Sequence, residues 1–149
     1  MSLFFKTKDL DGKRWIFDPI RKKYVVLTPE EKVRQSILAY LVEHKSYPIR
    51  FIAVEKQIHY AEKNRRYDAV IYNQNHQPAL LIECKQPDVA ITQKVMEQAT
   101  LYNLVLKVPF LALTNGKQHF VIQINTETKG SVFLKDFPER EEFWSIAEP

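Results

Sequence analysis

Apolar and polar positions along the chain change period several times, and each change marks an element. In "TPEEKVRQSILAYLVEHK", Val33, Ile37, Leu38, Leu41 and Val42 recur at helical spacing and form one stripe. Thr28 is a suitable N-cap, Pro29 suits the first helical position, and Glu31 stands where a capping box needs an acid, so a helix is predicted over 29–45. "PIRFIAVEKQIHY" then reads as a strand through Glu55 or Ile58. "RYDAVIYN" (66–73) and "PALLIECK" (78–85) read as two more strands, and the short polar link "QNHQ" makes them an antiparallel hairpin. "DVAITQKVMEQATLYNLVLK" predicts a second helix over 90–107, with Ile91, Val95, Ala99, Tyr102 and Leu106 as its inward stripe and Gln98 within it. "VPFLALTNG" and "KQHFVIQIN" are strands joined through Asn115-Gly116, "SVFLKDF" adds a final strand, and "EREEFWSIAE" a short closing helix. Ahead of all this, residues 1–27 carry the turn signals Asp11-Gly12 and Asp18-Pro19 and read as a small hairpin or irregular arm. The order predicts a mixed central sheet flanked by helices, an α/β (α+β) fold.

Composition narrows the class. A chain of 149 residues is the usual size of one domain, so 1–149 is expected to be a single unit with its core in 28–125. No apolar run approaches the ~18–20 residues of a membrane span. Charges begin at Lys6, which excludes a signal peptide, and a cytoplasmic setting is expected. One cysteine, Cys84, excludes an internal disulfide and a multi-cysteine zinc site. Its four histidines lie in different elements without metal spacing. Net charge is +4, with bases clustered in "RKK" (21–23) and "EKNRR" (62–66). Such clusters permit a polyanionic partner and equally suit solvated loops.

The chemistry concentrates in "LLIECKQP" (80–87). Strand side chains alternate, so Leu81, Glu83 and Lys85 are expected on one face, and Leu80, Ile82 and Cys84 on the other, covered face. A turn centred between Asn75 and His76 sets Asp68 directly opposite Glu83. Opposed residues have Cβ atoms ~4.5–5.5 Å apart, where like charges destabilise. Two carboxylates so placed need a cation. Mg²⁺ or Mn²⁺ suits hard oxygen ligands; ion pairs with Arg65, Arg66 and Lys85 are the plainer alternative. On the first helix, Glu31 sits at the margin of the stripe and Arg34 inside it, so both need partners there, although Glu31 is equally explained by its capping box. A buried Gln98 needs hydrogen-bond partners, from sheet backbone or from a site.

An acid on one strand, a hairpin, E-x-K on the next strand and a helix carrying Q-x-x-x-Y together resemble the PD-(D/E)xK nuclease superfamily. More closely, the chain resembles the N-terminal nuclease domain of type I restriction enzyme R subunits, through "TPEEKVRQ", "VE" at 54–55, "RYDAVIY", "LLIECKQP", "QATLYN" and "LTNG", over about residues 15–125. The resemblance implies a restriction-endonuclease-like core and a Mg²⁺- or Mn²⁺-dependent deoxyribonuclease. It implies that Asp68, Glu83 and the Cys84 backbone carbonyl bind metal, that Glu31 joins them, with Glu55 ranked below it, and that Lys85 activates water and stabilises the phosphate. Gln98 and Tyr102 would support the site or contact DNA, together with Arg34 and Arg66. The residue before Asp68 is Tyr67 rather than proline. The helicase motor that follows this domain in restriction subunits does not fit into 149 residues, so DNA is the expected partner and a separate helicase/ATPase or restriction-modification subunits would supply translocation. A homo-oligomer is compatible with the sequence. The alternative is a catalytically silent nuclease-fold module that binds DNA or a partner.

Overall fold

The computed structural model describes residues 2–60 and 63–144. The N-terminal segment forms a three-stranded antiparallel sheet of β1 (Thr7–Leu10), β2 (Lys13–Asp18) and β3 (Lys23–Val26), more regular than the predicted arm. Helix α1 (Pro29–Glu43) follows, with the Thr28 hydroxyl accepting the Glu31 N–H at its start. After a short 3-10 turn come β4 (Ile52–Tyr60), β5 (Lys63–Tyr72), β6 (Pro78–Cys84), α2 (Gln93–Leu106), β7 (Phe110–Thr114), β8 (His119–Ile124), β9 (Ser131–Leu134) and α3 (Arg140–Phe143). The remainder of the predicted closing helix, 145–148, lies outside the described residues. No helix among the described residues is long and apolar enough to cross a membrane.

Strands β4 to β9 form one six-stranded mixed sheet in sequence order. All neighbours are antiparallel except β6 and β7, which run parallel and are connected across the sheet by α2. On one face, α1 packs Val33, Ile37, Leu38 and Leu41 against Ala69, Ile71, Leu80, Ile82 and Cys84. On the other face, α2 brings Ala99 and Tyr102 to Val70, Leu81 and Leu113. Both faces of β6 are therefore covered, which accounts for its nearly unbroken apolar run.

The predicted hairpin register holds: Ala69 pairs with Ile82, Val70 with Leu81 and Ile71 with Leu80, with an irregularity near the turn at Ile71/Tyr72. Other boundaries move. The first strand of the sheet runs on to Tyr60, and Lys63–Arg66 of the basic cluster lie in β5 rather than in a loop, while Glu62 is outside the described residues.

One local feature shapes everything near the site. In β4, Ile52 and Val54 face α1, yet Ile58 faces α2. In β5, Ala69 and Ile71 face α1, yet Tyr67 faces α2. Regular alternation would place each set on a single face. Glu55 takes a left-handed backbone at φ 54°, and the β4–β5 ladder skips the position where Glu55 would meet Asp68. Both strands thus reverse their faces at the Glu55/Asp68 position.

Candidate active site

The reversal corrects the expected opposition of Asp68 and Glu83. Asp68 turns to the α1 side, where its Oδ2 accepts the Cys84 backbone N–H at 2.6 Å and its Oδ1 lies 3.6 Å from Arg34 Nη1. Glu83 keeps the face of Leu81 and pairs with Arg65, whose guanidinium stands 5.3 Å from the Tyr67 ring centroid and 4.8 Å from that of Tyr102. Each carboxylate therefore has its own arginine, on opposite sides of the sheet. The contact that Cys84 makes with Asp68 runs through its amide. Its thiol is core, 2% exposed, and burial pushes it well above the usual thiol range.

On the α1 side a charged network converges. Arg21, in the β2–β3 turn, bonds to the fully buried Asp18, donates to Glu31 at 2.8 Å and lies 3.6 Å from Glu55. Arg34 donates to Glu31 through Nη2 at 2.6 Å and Nε at 3.0 Å, and reaches toward Glu55 at 3.5 Å. Gln35 adds a third donor to Glu31 at 3.1 Å. Burial works to raise the Glu31 carboxyl, but the hydrogen bonds from Arg34, Gln35 and Arg21 outweigh it and hold the group at about 2. Burial likewise opposes charge on Arg34, and its bonds to Glu31 reverse that and raise it. Glu31 is thus saturated by donors. It anchors two arginines rather than standing free for a ligand.

Sequence reasoning passed over Glu30. Its carboxyl is raised by burial and next by the negative charge of Asp68, against the lowering influence of Arg34 and Lys85. Glu30 and Asp68 are therefore close enough to compete for charge, with Lys85 beside them. Lys85 follows Cys84, the last residue of β6, and its backbone N–H donates to the Thr114 carbonyl of β7 at 2.7 Å. The only sequence signal for Glu30 is a second acid in the first turn of α1, which the helix dipole explains as well.

The remaining predicted residues separate. Tyr102 is half-buried beneath Arg65. Gln98 is exposed, against the expected burial, because α2 docks through Ala99 and Asn103 and leaves position 98 on its flank. Arg66 is exposed on β5 and makes no ion pair among the described residues.

The donor set fits a hard divalent cation. Glu30 and Asp68 offer carboxylate oxygens whose mutual repulsion a cation would relieve. Among the described residues no three His, Cys, Asp or Glu side chains gather to hold a metal. Mg²⁺ does not require that, since it commonly binds through one or two carboxylates together with waters and substrate phosphate.

Comparison with known proteins bears on the fold. A fragment titled a "putative HsdR subunit of a type I restriction enzyme" from Vibrio vulnificus superposes with TM-score 0.54 at 17% identity, covering 79% of this chain and 25% of that one. A "putative nuclease belonging to DUF820" from Anabaena variabilis superposes with TM-score 0.51 at 14% identity, covering 96% of this chain and 86% of that one. The chain thus spans about a quarter of the length of the first, and at these identities the likeness is one of fold. A search of curated proteins found no match. The family model described as "Type I restriction enzyme R protein N terminus (HSDR_N)" matches residues 29–138, which include α1, β5, β6 and all the charged groups around Asp68 except Arg21 and Asp18. The chain belongs to this family, the type I restriction enzyme R protein N terminus.

Proposed function

We propose that the chain is a metal-dependent DNA nuclease domain that hydrolyses phosphodiester bonds. The observation that carries this is the crowding of Glu30 and Asp68 beside Lys85 and Arg34, in a chain of a restriction-enzyme family. Asp68 and Glu30 would hold Mg²⁺ or Mn²⁺, with the Cys84 backbone alongside. When bound, the cation would lower the pKa of a water and polarise the phosphoryl oxygen. Lys85 Nζ donates to a non-bridging phosphate oxygen and adds positive charge where negative charge develops. Arg34, fixed by Glu31, keeps Asp68 oriented. Arg66 and Lys side chains hold the DNA backbone, so affinity falls with salt. Glu83, paired with Arg65 on the other face of the sheet, stays outside this carboxylate set. Restriction-modification subunits and a separate ATP-driven motor are the partners this reading implies.

The test is cleavage of supercoiled plasmid in Mg²⁺ or Mn²⁺ by the full chain and by Lys85→Ala. Identical behaviour of the two across metals and substrates sinks the catalytic claim.

A second reading rests on Glu83, which is committed to Arg65 and absent from the Asp68 side. On it the chain is a silent nuclease-fold module for DNA or a partner protein. That reading expects salt-dependent DNA binding and no cleavage with any metal.

A further inference from the structure

Helix α1 covers only part of its face of the sheet. Between it, β8 and the segment after β9 lies a cavity of about 930 Å³, inside the ~300–1,000 Å³ range of small-molecule sites. Its walls are apolar: Val33 and Ile37 from α1, Val121 from β8, and Phe137. Lys32, Lys117 and Lys135 line it as well, and none has an ion-pair partner among the described residues. The acid in the lining, Asp136, is already engaged: it accepts the Tyr40 hydroxyl at 2.6 Å and lies 3.2 Å from Lys45. The cavity therefore presents unopposed positive charge around an apolar interior.

His119 adds a polar ring to the lining. Thr114 Oγ1 accepts the Gly116 N–H at 3.1 Å and lies 2.6 Å from His119 Nδ1, which ties the ring to the end of β7. The cavity also adjoins the candidate active site. Thr28 and Pro29, just before Glu30, line it, and so does Pro87, two residues after Lys85.

We propose that this cavity receives an unstacked nucleotide of the DNA strand, its base among the apolar walls and its phosphate at the three lysines. An apolar-bodied anion is what such a lining selects, and a strand passing Glu30, Asp68 and Lys85 lays its neighbouring nucleotide at the mouth. The inference rests on the DNA-nuclease reading for its ligand and is independent of cleavage.

The experiment uses the full chain in EDTA with a duplex oligonucleotide carrying 2-aminopurine, whose fluorescence rises on unstacking. Anisotropy of an end-labelled copy reports total binding. Wild type raises the fluorescence at saturation. Ser36→Trp, on the exposed surface of α1 at the cavity wall, keeps the circular-dichroism spectrum, loses the fluorescence rise and weakens binding about five- to tenfold. Lys117→Glu does the same from the rim. Anisotropy binding with flat fluorescence in wild type overturns the proposal, as does a rise that survives both variants. Parallel Mn²⁺ cleavage separates the two readings: cutting with flat fluorescence sinks the cavity alone, and no duplex binding or cutting sinks both. Saturable binding of free dAMP without any duplex response assigns the cavity to a soluble nucleotide and overturns the strand version.

Discussion

Arg34 stands between Glu31 and Asp68, donating to Glu31 Oε1 at 2.6 Å from Nη2 while Nη1 lies 3.6 Å from Asp68 Oδ1. A buried acid thus fixes the arginine that orients the acid of the candidate site. The pH response of that arrangement has a definite sign. Glu31 is held at about 2 in the fold against an ordinary 4.5. A lowered carboxyl stabilises the fold above its unfolded value, and this is lost as pH falls toward the folded one. Between roughly pH 4.5 and 2 the protein should lose about 3 kcal/mol of stability from this group. Urea unfolding across that range, compared with Glu31→Gln, measures it; equal slopes for the two proteins would refute it.

Glu30 behaves oppositely. Its carboxyl is raised, first by burial and then by Asp68, so its charged form costs stability at neutral pH. Glu30→Gln should therefore raise the Tm of the metal-free protein slightly, while removing the Tm increase expected of the wild type if Mn²⁺ binds at Glu30 and Asp68. A mutant that keeps the full Mn²⁺ response shows that Glu30 is no ligand.

Lys85 is half-exposed and follows β6 rather than forming part of it. Lys85→Ala should leave unfolding within about 0.5 kcal/mol of wild type. Plasmid cleavage should fall by about 100-fold or more. A nicking time course in Mn²⁺ decides the matter.

Arg65 is the partner of a Glu83 side chain that is only 9% exposed. Arg65→Ala leaves that carboxylate short of a donor and should cost about 1–3 kcal/mol. A double-mutant cycle with Glu83→Gln isolates the pair, and a zero coupling energy rules out its structural importance.

The order of elements, both long helices and the β5–β6 register were legible from period and turn chemistry, because "QNHQ" leaves little freedom in how Ala69 meets Ile82. The covered face of Cys84 was legible for the same reason. What alternation could not show is the reversal at Glu55, whose left-handed backbone has no glycine or asparagine to announce it. That single residue moved Asp68 away from Glu83. Glu30 stayed hidden because an acid in a first helical turn already has a local explanation, and only tertiary proximity to Asp68 gives it another. Gln98 misled through a stripe drawn too wide around Ala99.

The reversal also divides the β4–β5 hairpin into two pieces with separate burial rules. From Asp68 toward β6, odd positions of β5 belong to the α1 layer; from Tyr67 toward the tip, they belong to the α2 layer. A one-residue deletion on either side would shift one piece against the other, and no uniform slide of the strand could repair both layers at once. Length in this hairpin is therefore fixed at its middle, at Asp68.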